Sequence, residues 1–425
     1  MNTKCPSCDA QVTVPNDVIN DEKLMVHETA AKLKSSSGGV GEGSLGSNFR
    51  RENRKKAILT LEDGSYFIGY GFGATRKVSG EVVFSTSMVG YPESLTDPSY
   101  NGQILTLTYP LIGNYGVPPF EVEMGIPRYF ESESIKVTGL VVYDLCKKPY
   151  HWASTRTLDE WLRSENVPGI YGIDTRKLTK KLRIKGVMLG ILQVCEEDEE
   201  PNVEKLLKEA KQVPDPNLRD LVGEVTVKEP IHHKVKGNKT VVLIDCGVKH
   251  SILRNLLKRK INVVRVPYNF SAKEILEYDP TCVLISNGPG DPKKCMKTIE
   301  CVRELVEEKT IVMGVCLGIQ ILALAMGGDT FKLKYGHRSQ NQPVLNLETG
   351  RCYITTQNHG YAVNSDSLKG TDLDVLFINA NDKTVEGIKH KRKSTFAYQW
   401  HPEAGPGPYD TEFLFDEFLR LAGGI

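Results

Sequence analysis

Ile311-Val312-Met313-Gly314-Val315-Cys316-Leu317-Gly318-Ile319-Gln320-Ile321-Leu322-Ala323-Leu324 decides how the second half of this chain folds. A β-branched apolar run ends at Gly314, and a helix-like apolar stretch begins after Cys316. Between them lies a sharp strand-to-helix turn that carries a thiol. Such an elbow lifts a nucleophile clear of the backbone at a helix N-terminus. There the helix dipole favours a thiolate, and unbonded N–H groups can stabilise an oxyanion. Small residues flank the cysteine because a substrate must approach the backbone closely.

Working outward from the elbow, Thr240–Ile244, Val263–Val266, Thr281–Ile285 and Thr310–Met313 read as buried strands. Helical patterns lie between them, Ser251–Arg259 the first. Strands alternating with helices predict an α/β fold over 239–425, a doubly wound and mostly parallel sheet. Cys316 and the glycine-rich turn at 287–291 both fall just past strand C-termini, where open α/β sheets place their ligands.

Upstream the texture differs. Ala57–Leu61, Tyr66–Tyr70, Glu81–Ser85 and Ile104–Thr108 are short β-branched and aromatic runs. Turn signals separate them, so 57–195 reads as a β-rich domain with few helices. One helix is predicted from Asp174 to Arg183, capped by Asp174 or Thr175. Residues 196–238 are charged and proline-punctuated, with one amphipathic helix near Val203–Lys211, and read as a connector. Residues 1–56 read as a flexible extension. Cys5-Pro-Ser-Cys8 is half a zinc knuckle, but no second pair follows and a structural zinc site needs four ligands. A Ser/Gly-rich linker at 35–48 and a basic run from Arg50 to Lys56 complete the extension, and the basic run reads as a solvated tether.

The 425 residues are too many for one ordinary core. With 54 basic against 53 acidic residues, the balance argues against nonspecific nucleic-acid binding. No apolar run is long enough to span a bilayer, and the first 25 residues carry acidic side chains and no apolar leader. Most of the ten cysteines, Cys195, Cys246, Cys282 and Cys352 among them, lie singly between apolar neighbours. That pattern predicts buried, reduced thiols in a cytoplasmic protein. No metal site is predicted.

Two further segments should meet at the thiol. In Tyr398-Gln399-Trp400-His401-Pro402-Glu403, His401 can take the thiol proton and Glu403 can hold the imidazole in the useful tautomer. In Ser286-Asn287-Gly288-Pro289-Gly290-Asp291, the glycines allow a strained turn that aims an N–H at the developing oxyanion, with the N–H of Leu317 as the second donor. Each piece alone also reads as ordinary structure: a core cysteine, a His-Pro turn, a glycine turn. Their combination at strand ends of one domain, with a single cysteine and a distant histidine and carboxylate, is the expected form of a cysteine nucleophile.

Gly314-Val315-Cys316-Leu317-Gly318-Ile319-Gln320 resembles the nucleophile motif of class I triad glutamine amidotransferases, and His401-Pro402-Glu403 resembles the remaining triad. From residue 57 onward the chain also resembles the small subunits of carbamoyl-phosphate synthetases. The segments that carry this likeness are Gly90-Tyr91-Pro92-Glu93-Ser94, Thr96-Asp97-Pro98-Ser99-Tyr100, Pro110–Gly116, Gly172–Arg176, Gln357-Asn358-His359-Gly360-Tyr361 and His401–Pro408. The resemblance implies hydrolysis of L-glutamine through a Cys316 thioester, with ammonia delivered through an enclosed route to a large ATP-grasp subunit. ATP and Mg2+ would belong to that partner and no cofactor to this chain, which shows no Gly-x-x-x-x-Gly-Lys-Ser/Thr loop and reads as a free-standing subunit. The products would feed arginine and pyrimidine synthesis.

The resemblance further implies that Ser99 contacts glutamine, that Gly288 and Gly290 line its pocket, and that Leu317 and Gln320 sit beside the nucleophile. Asn358, Gly360 and Tyr361, read as a polar turn after a strand Cys352–Thr356, would close it. Ile319 stands where relatives often carry histidine, and Tyr361 where Phe is common. Two other readings compete: an amidotransferase serving another synthetase, and a catalytically idle regulatory scaffold.

Overall fold

The computed structural model describes residues 55–423. The readings of Cys5, Cys8, the 35–48 linker and the basic run up to Arg54 lie outside the described residues.

The first part is a closed barrel. Its spatial order is Lys56–Leu61, Met188–Val194, Lys77–Ser85, Gln103–Leu107, Gly139–Val141, Pro168–Tyr171 and Tyr66–Gly73, the last closing back on the first. Ala57, Leu59, Leu61, Val82, Ile104, Val141, Ile170 and Leu192 form one buried cluster, as alternation along strands requires. The predicted helix is Thr175–Lys185, and the Asp174 carboxylate accepts from the Lys177 N–H at 2.8 Å. Two helices were not anticipated. Tyr91–Thr96 has Pro92 in its first turn, and Leu158–Ser164 carries a full capping box, Thr157 with Glu160.

The second part is one ten-stranded sheet. Its parallel centre runs Asn262–Pro267, Thr240–Asp245, Cys282–Ile285, Val312–Val315, Thr395–Tyr398. These strands are continuous apolar runs because both faces are covered. Val242, Ile244, Val283, Ile285 and Val312 pack on one side with helices Met296–Glu307 and Leu317–Ala325. Val241, Leu243, Leu284, Met313 and Val315 pack on the other with helices His250–Lys258 and Leu414–Leu421. Beyond Thr395–Tyr398 the sheet continues antiparallel through Val385–His390, Leu373–Asn379, Thr330–Asn346 and Cys352–Val363.

Three readings need correction. The connector supplies helix Val203–Ala210 but also a strand, Ile231–His233, that pairs antiparallel on the sheet edge. Asn358–Tyr361 is not a turn. It continues the strand Cys352–Val363, whose ladder with Thr330–Asn346 persists across two register shifts. Its polar residues are tolerated there because they bond to other protein groups, Asn358 to Asp97 and His359 to Gln357 and the Tyr361 carbonyl. Cys352 is exposed, whereas Cys195, Cys246 and Cys282 are buried. No helix among the described residues is long and apolar enough to cross a membrane.

The elbow is a steric fit. Cys316 has φ +54°. A Cβ on Gly314 would lie 2.6 Å from the Gly318 carbonyl carbon, and one on Gly318 would lie 2.5 Å from the Ile285 oxygen. Gly318→Ala should therefore push the helix off the sheet. We expect a loss of about 1–3 kcal/mol in urea unfolding and a disproportionate fall in thiol reactivity of Cys316; an unshifted midpoint would show that the elbow tolerates the methyl group.

Behind the strand Cys352–Val363, His337 donates from Nε2 to Asp382 at 2.9 Å, and its Nδ1 lies 3.5 Å from Glu386. Burial opposes its charge, but Asp382 and then Glu386 outweigh burial and hold it up at about 9. Burial, reinforced by that cation, keeps the neighbouring His359 neutral. Since folded His337 holds its proton more tightly than the unfolded chain does, its stabilisation is complete below about pH 6.5 and is lost as pH rises through about 9. The stability gap between wild type and His337→Gln should shrink by about 3 kcal/mol across that window; a gap independent of pH would contradict the assignment.

Candidate active site

Four strand ends converge on Cys316. The strand Val312–Val315 delivers it, and the Cys316 N–H donates to the Tyr398 carbonyl at 2.8 Å, tying the elbow to the neighbouring strand. The thiol is 2 % exposed and donates to the Asn358 carbonyl at 3.6 Å. The next residue, Leu317, opens the helix, so its N–H is among those a helix leaves without an internal acceptor.

His401 and Glu403 follow the strand Thr395–Tyr398, and both are buried. His401 Nδ1 is 2.6 Å from Glu403 Oε1, which makes Nδ1 the donor and frees Nε2. Nε2 has no well-aligned hydrogen bond among the described residues and faces the Cys316 thiol. Burial works against the imidazolium and so does Lys249, but the Glu403 carboxylate and the thiol prevail and hold His401 up at about 10.

The sequence reading missed Lys249. It lies past the end of strand Thr240–Asp245, is 2 % exposed, and sits 3.5 Å from Glu403 Oε1. It also donates to the Ala404 carbonyl at 2.8 Å. Burial disfavours its charge, yet Glu403, then Glu131 and Asp97, outweigh burial and raise its pKa. The lysine thus neutralises the buried carboxylate that orients His401, and its position past a strand C-terminus was the available signal.

Every residue expected to contact substrate lines one cleft with Cys316, which encloses about 480 Å3 of empty space including solvent at its mouth. Gly288 and Gly290 form one wall; a Cβ on Gly288 would lie 2.1 Å from the Cys246 oxygen, and Gly290 has φ +84°. Ser99 arrives from the barrel side and accepts from Asn287 Nδ2 at 3.0 Å. Gln320, one turn into the elbow helix, donates to the Tyr361 carbonyl at 2.9 Å and to Gln399 at 3.1 Å, so it braces the opposite wall. Asn358 turns its amide away to Asp97 at 2.8 Å and presents its backbone to the thiol. Leu317, Gly360 and Tyr361 complete the lining. Asp97, Asn287 and Arg338 also belong to the site and were not singled out from sequence; the first two lay unremarked inside quoted motifs.

An enclosed thiol, an imidazole held in one tautomer by a buried carboxylate, and orphan N–H groups beside them are the parts of acyl transfer through a thioester. Comparison with known proteins agrees with this chemistry. Residues 59–192 match the family model of the carbamoyl-phosphate synthase small chain, CPSase domain, and residues 242–421 match that of class I glutamine amidotransferases. The chain is 51% identical over 366 residues to the carbamoyl phosphate synthase small chain of Methanopyrus kandleri, covering 86% of this chain and 99% of that one. It is 50% identical over 366 residues to that of Archaeoglobus fulgidus, covering 86% and 98%. With the small chain of Listeria monocytogenes it shares 50% over 369 residues, covering 87% and 97%. With the barrel and the amidotransferase sheet both matched, and half of all aligned residues identical, the chain belongs to the carbamoyl-phosphate synthase small-chain family.

Proposed function

We propose that this chain is the glutaminase subunit of a glutamine-hydrolysing carbamoyl-phosphate synthase, acting in the cytoplasm. It would hydrolyse L-glutamine and pass ammonia to a large ATP-grasp subunit, which would hold the ATP and Mg2+ and make carbamoyl phosphate for arginine and pyrimidine synthesis. The observation that carries this reading is the contact of His401 with both Glu403 and Cys316, the thiol lining a cleft with all eight expected glutamine contacts.

The steps follow from the geometry. Cys316 sulfur attacks the side-chain amide carbon, its proton having passed to His401. The oxyanion forms against the Leu317 N–H and the Gly288–Gly290 wall. The C–N bond then breaks as His401 gives its proton to nitrogen, leaving a glutamyl thioester and neutral ammonia. Water attacks the thioester with His401 as base, the C–S bond breaks, and glutamate leaves. Ammonia released into bulk water would be protonated at neutral pH, which favours enclosed transfer to the partner.

In the complex with the large subunit, Cys316→Ser should lower glutamine-dependent carbamoyl phosphate synthesis by at least about 10³-fold and spare synthesis from ammonium. Equal loss with both nitrogen sources would refute the role of Cys316.

Glu403→Gln tests the orientation of the imidazole. Glu403 is the foremost group that raises His401, so removing its charge should bring the His401 titration down from about 10. The glutamine-dependent kcat should fall by about 10²-fold. An NMR titration of His401 that does not move would exclude the carboxylate as its partner.

A further inference from the structure

The cleft is lined by a buried cation that has no ion-pair partner within salt-bridge distance among the described residues. Arg338, on the strand Thr330–Asn346, is 5 % exposed. Its Nη1 donates to the Tyr335 carbonyl at 2.7 Å, while its Nε is buried without an acceptor, and it forms no ion pair among the described residues. The other charges lining the cleft cancel. Lys332 Nζ lies 2.6 Å from Glu81 Oε1 and 3.7 Å from Asp215. Burying a guanidinium with an idle donor is costly unless an anion comes to meet it.

Its position sets the kind of anion. Arg338 is the ladder partner of Asn358, whose carbonyl oxygen is 3.6 Å from Cys316 Sγ. Two residues further along that strand, a Cβ on Gly360 would lie 3.2 Å from Arg338 Nη2. Extended strand advances about 6.5–7 Å over two residues. In glutamine, four carbon–carbon bonds of about 1.5 Å separate the side-chain amide carbon from the carboxylate carbon, a reach of about 5 Å when extended. With the amide at the thiol and the chain extended along this strand, the carboxylate comes within reach of the guanidinium. A Cβ on Gly336 would lie 2.4 Å from Nη1, so glycine at that position leaves the guanidinium its room.

We propose that Arg338 is the counter-ion of the α-carboxylate of bound glutamine, and that it makes the site select a free amino acid over amide-blocked or peptide-linked glutamine. This rests on the reading of the site as a glutaminase. The planar guanidinium fork suits a carboxylate, and its pairing would satisfy the idle donor only when substrate is present.

The test compares kcat/KM for L-glutamine with that for L-glutaminamide, whose α-carboxylate is replaced by a neutral carboxamide, in the complex with the large subunit. Wild type should favour glutamine by about 10²-fold. Arg338→Met should bring the ratio close to one, mainly by raising KM for glutamine, and Arg338→Lys should keep part of the preference. A ratio in Arg338→Met equal to that of wild type would overturn the proposal. If that variant does not fold, wild type alone suffices, since a wild-type ratio near one overturns it equally. Either failure would leave glutamine hydrolysis itself intact, and so would be distinguishable from failure of the glutaminase reading.

Discussion

Everything at this site depends on a contact that admits no side chain. The elbow helix Leu317–Ala325 lies so close to the sheet that Gly314 and Gly318 nearly touch, with the Ile285 carbonyl closing the other side. That closeness forces Cys316 into a left-handed conformation at φ +54°, which non-glycine residues rarely adopt. Strain of this kind costs on the order of 1–3 kcal/mol and persists where the surroundings over-determine it. Here the surroundings are the apolar clusters on both sheet faces, which hold strand and helix in register. The same geometry points the sulfur out of the sheet and leaves the Leu317 N–H beside it.

Around the sulfur the protein keeps charges that would be ruinous singly. Glu403 and Lys249 are each almost wholly buried, 3.5 Å apart, and His401 bonds to the same carboxylate oxygen. Removing one member would strand another in a low-dielectric interior, so the three act as a unit. Their value lies less in stability than in direction. A carboxylate fixed by a lysine can hold only one nitrogen of His401 as donor, and that choice leaves Nε2 for the thiol. The lysine is itself fixed, since its backbone N–H donates to Asn287 Oδ1 at 3.0 Å, and Asn287 reaches on to Ser99. The oxyanion loop, the triad and the barrel side are thus linked through a few polar atoms.

This explains what could be read in advance. The elbow, the parallel strands and the His-Pro-Glu end were legible because local chemistry dictates them: apolar runs buried on both faces, glycines where no Cβ fits, a strand end where a ligand can bind. The helix at Thr175–Lys185 was legible from its cap. The continuation of strand through Asn358–Tyr361 was not. Gln-Asn-His-Gly-Tyr is polar and glycine-containing, and its strand conformation is imposed by a partner strand and by the buried His337–Glu386 network behind it. Lys249 escaped for a related reason. A lysine in sequence suggests solvent, and only the fold shows that Glu403, Glu131 and Asp97 surround it.

The barrel then takes on a clearer meaning. The sheet alone supplies the nucleophile, the base and the oxyanion wall, but the cleft is open without the barrel side. Ser99 and Asp97 reach in from the segment after helix Tyr91–Thr96, Asp97 accepting from Asn358 and Ser99 from Asn287. Glu81, which accepts from Gln103 on the adjacent barrel strand, pairs with Lys332, and the Thr86 N–H bonds the Arg338 carbonyl at 3.0 Å. The strand that carries Arg338 is therefore tied to the barrel as well as paired within its own sheet. Of the groups lining the cleft beside Cys316, Ser99 belongs to the barrel side, whereas Asn358 and Arg338 stand on strands of the same sheet that carries Cys316 and His401. The cleft is thus closed by two parts of the molecule, with the nucleophile and base both on the sheet side.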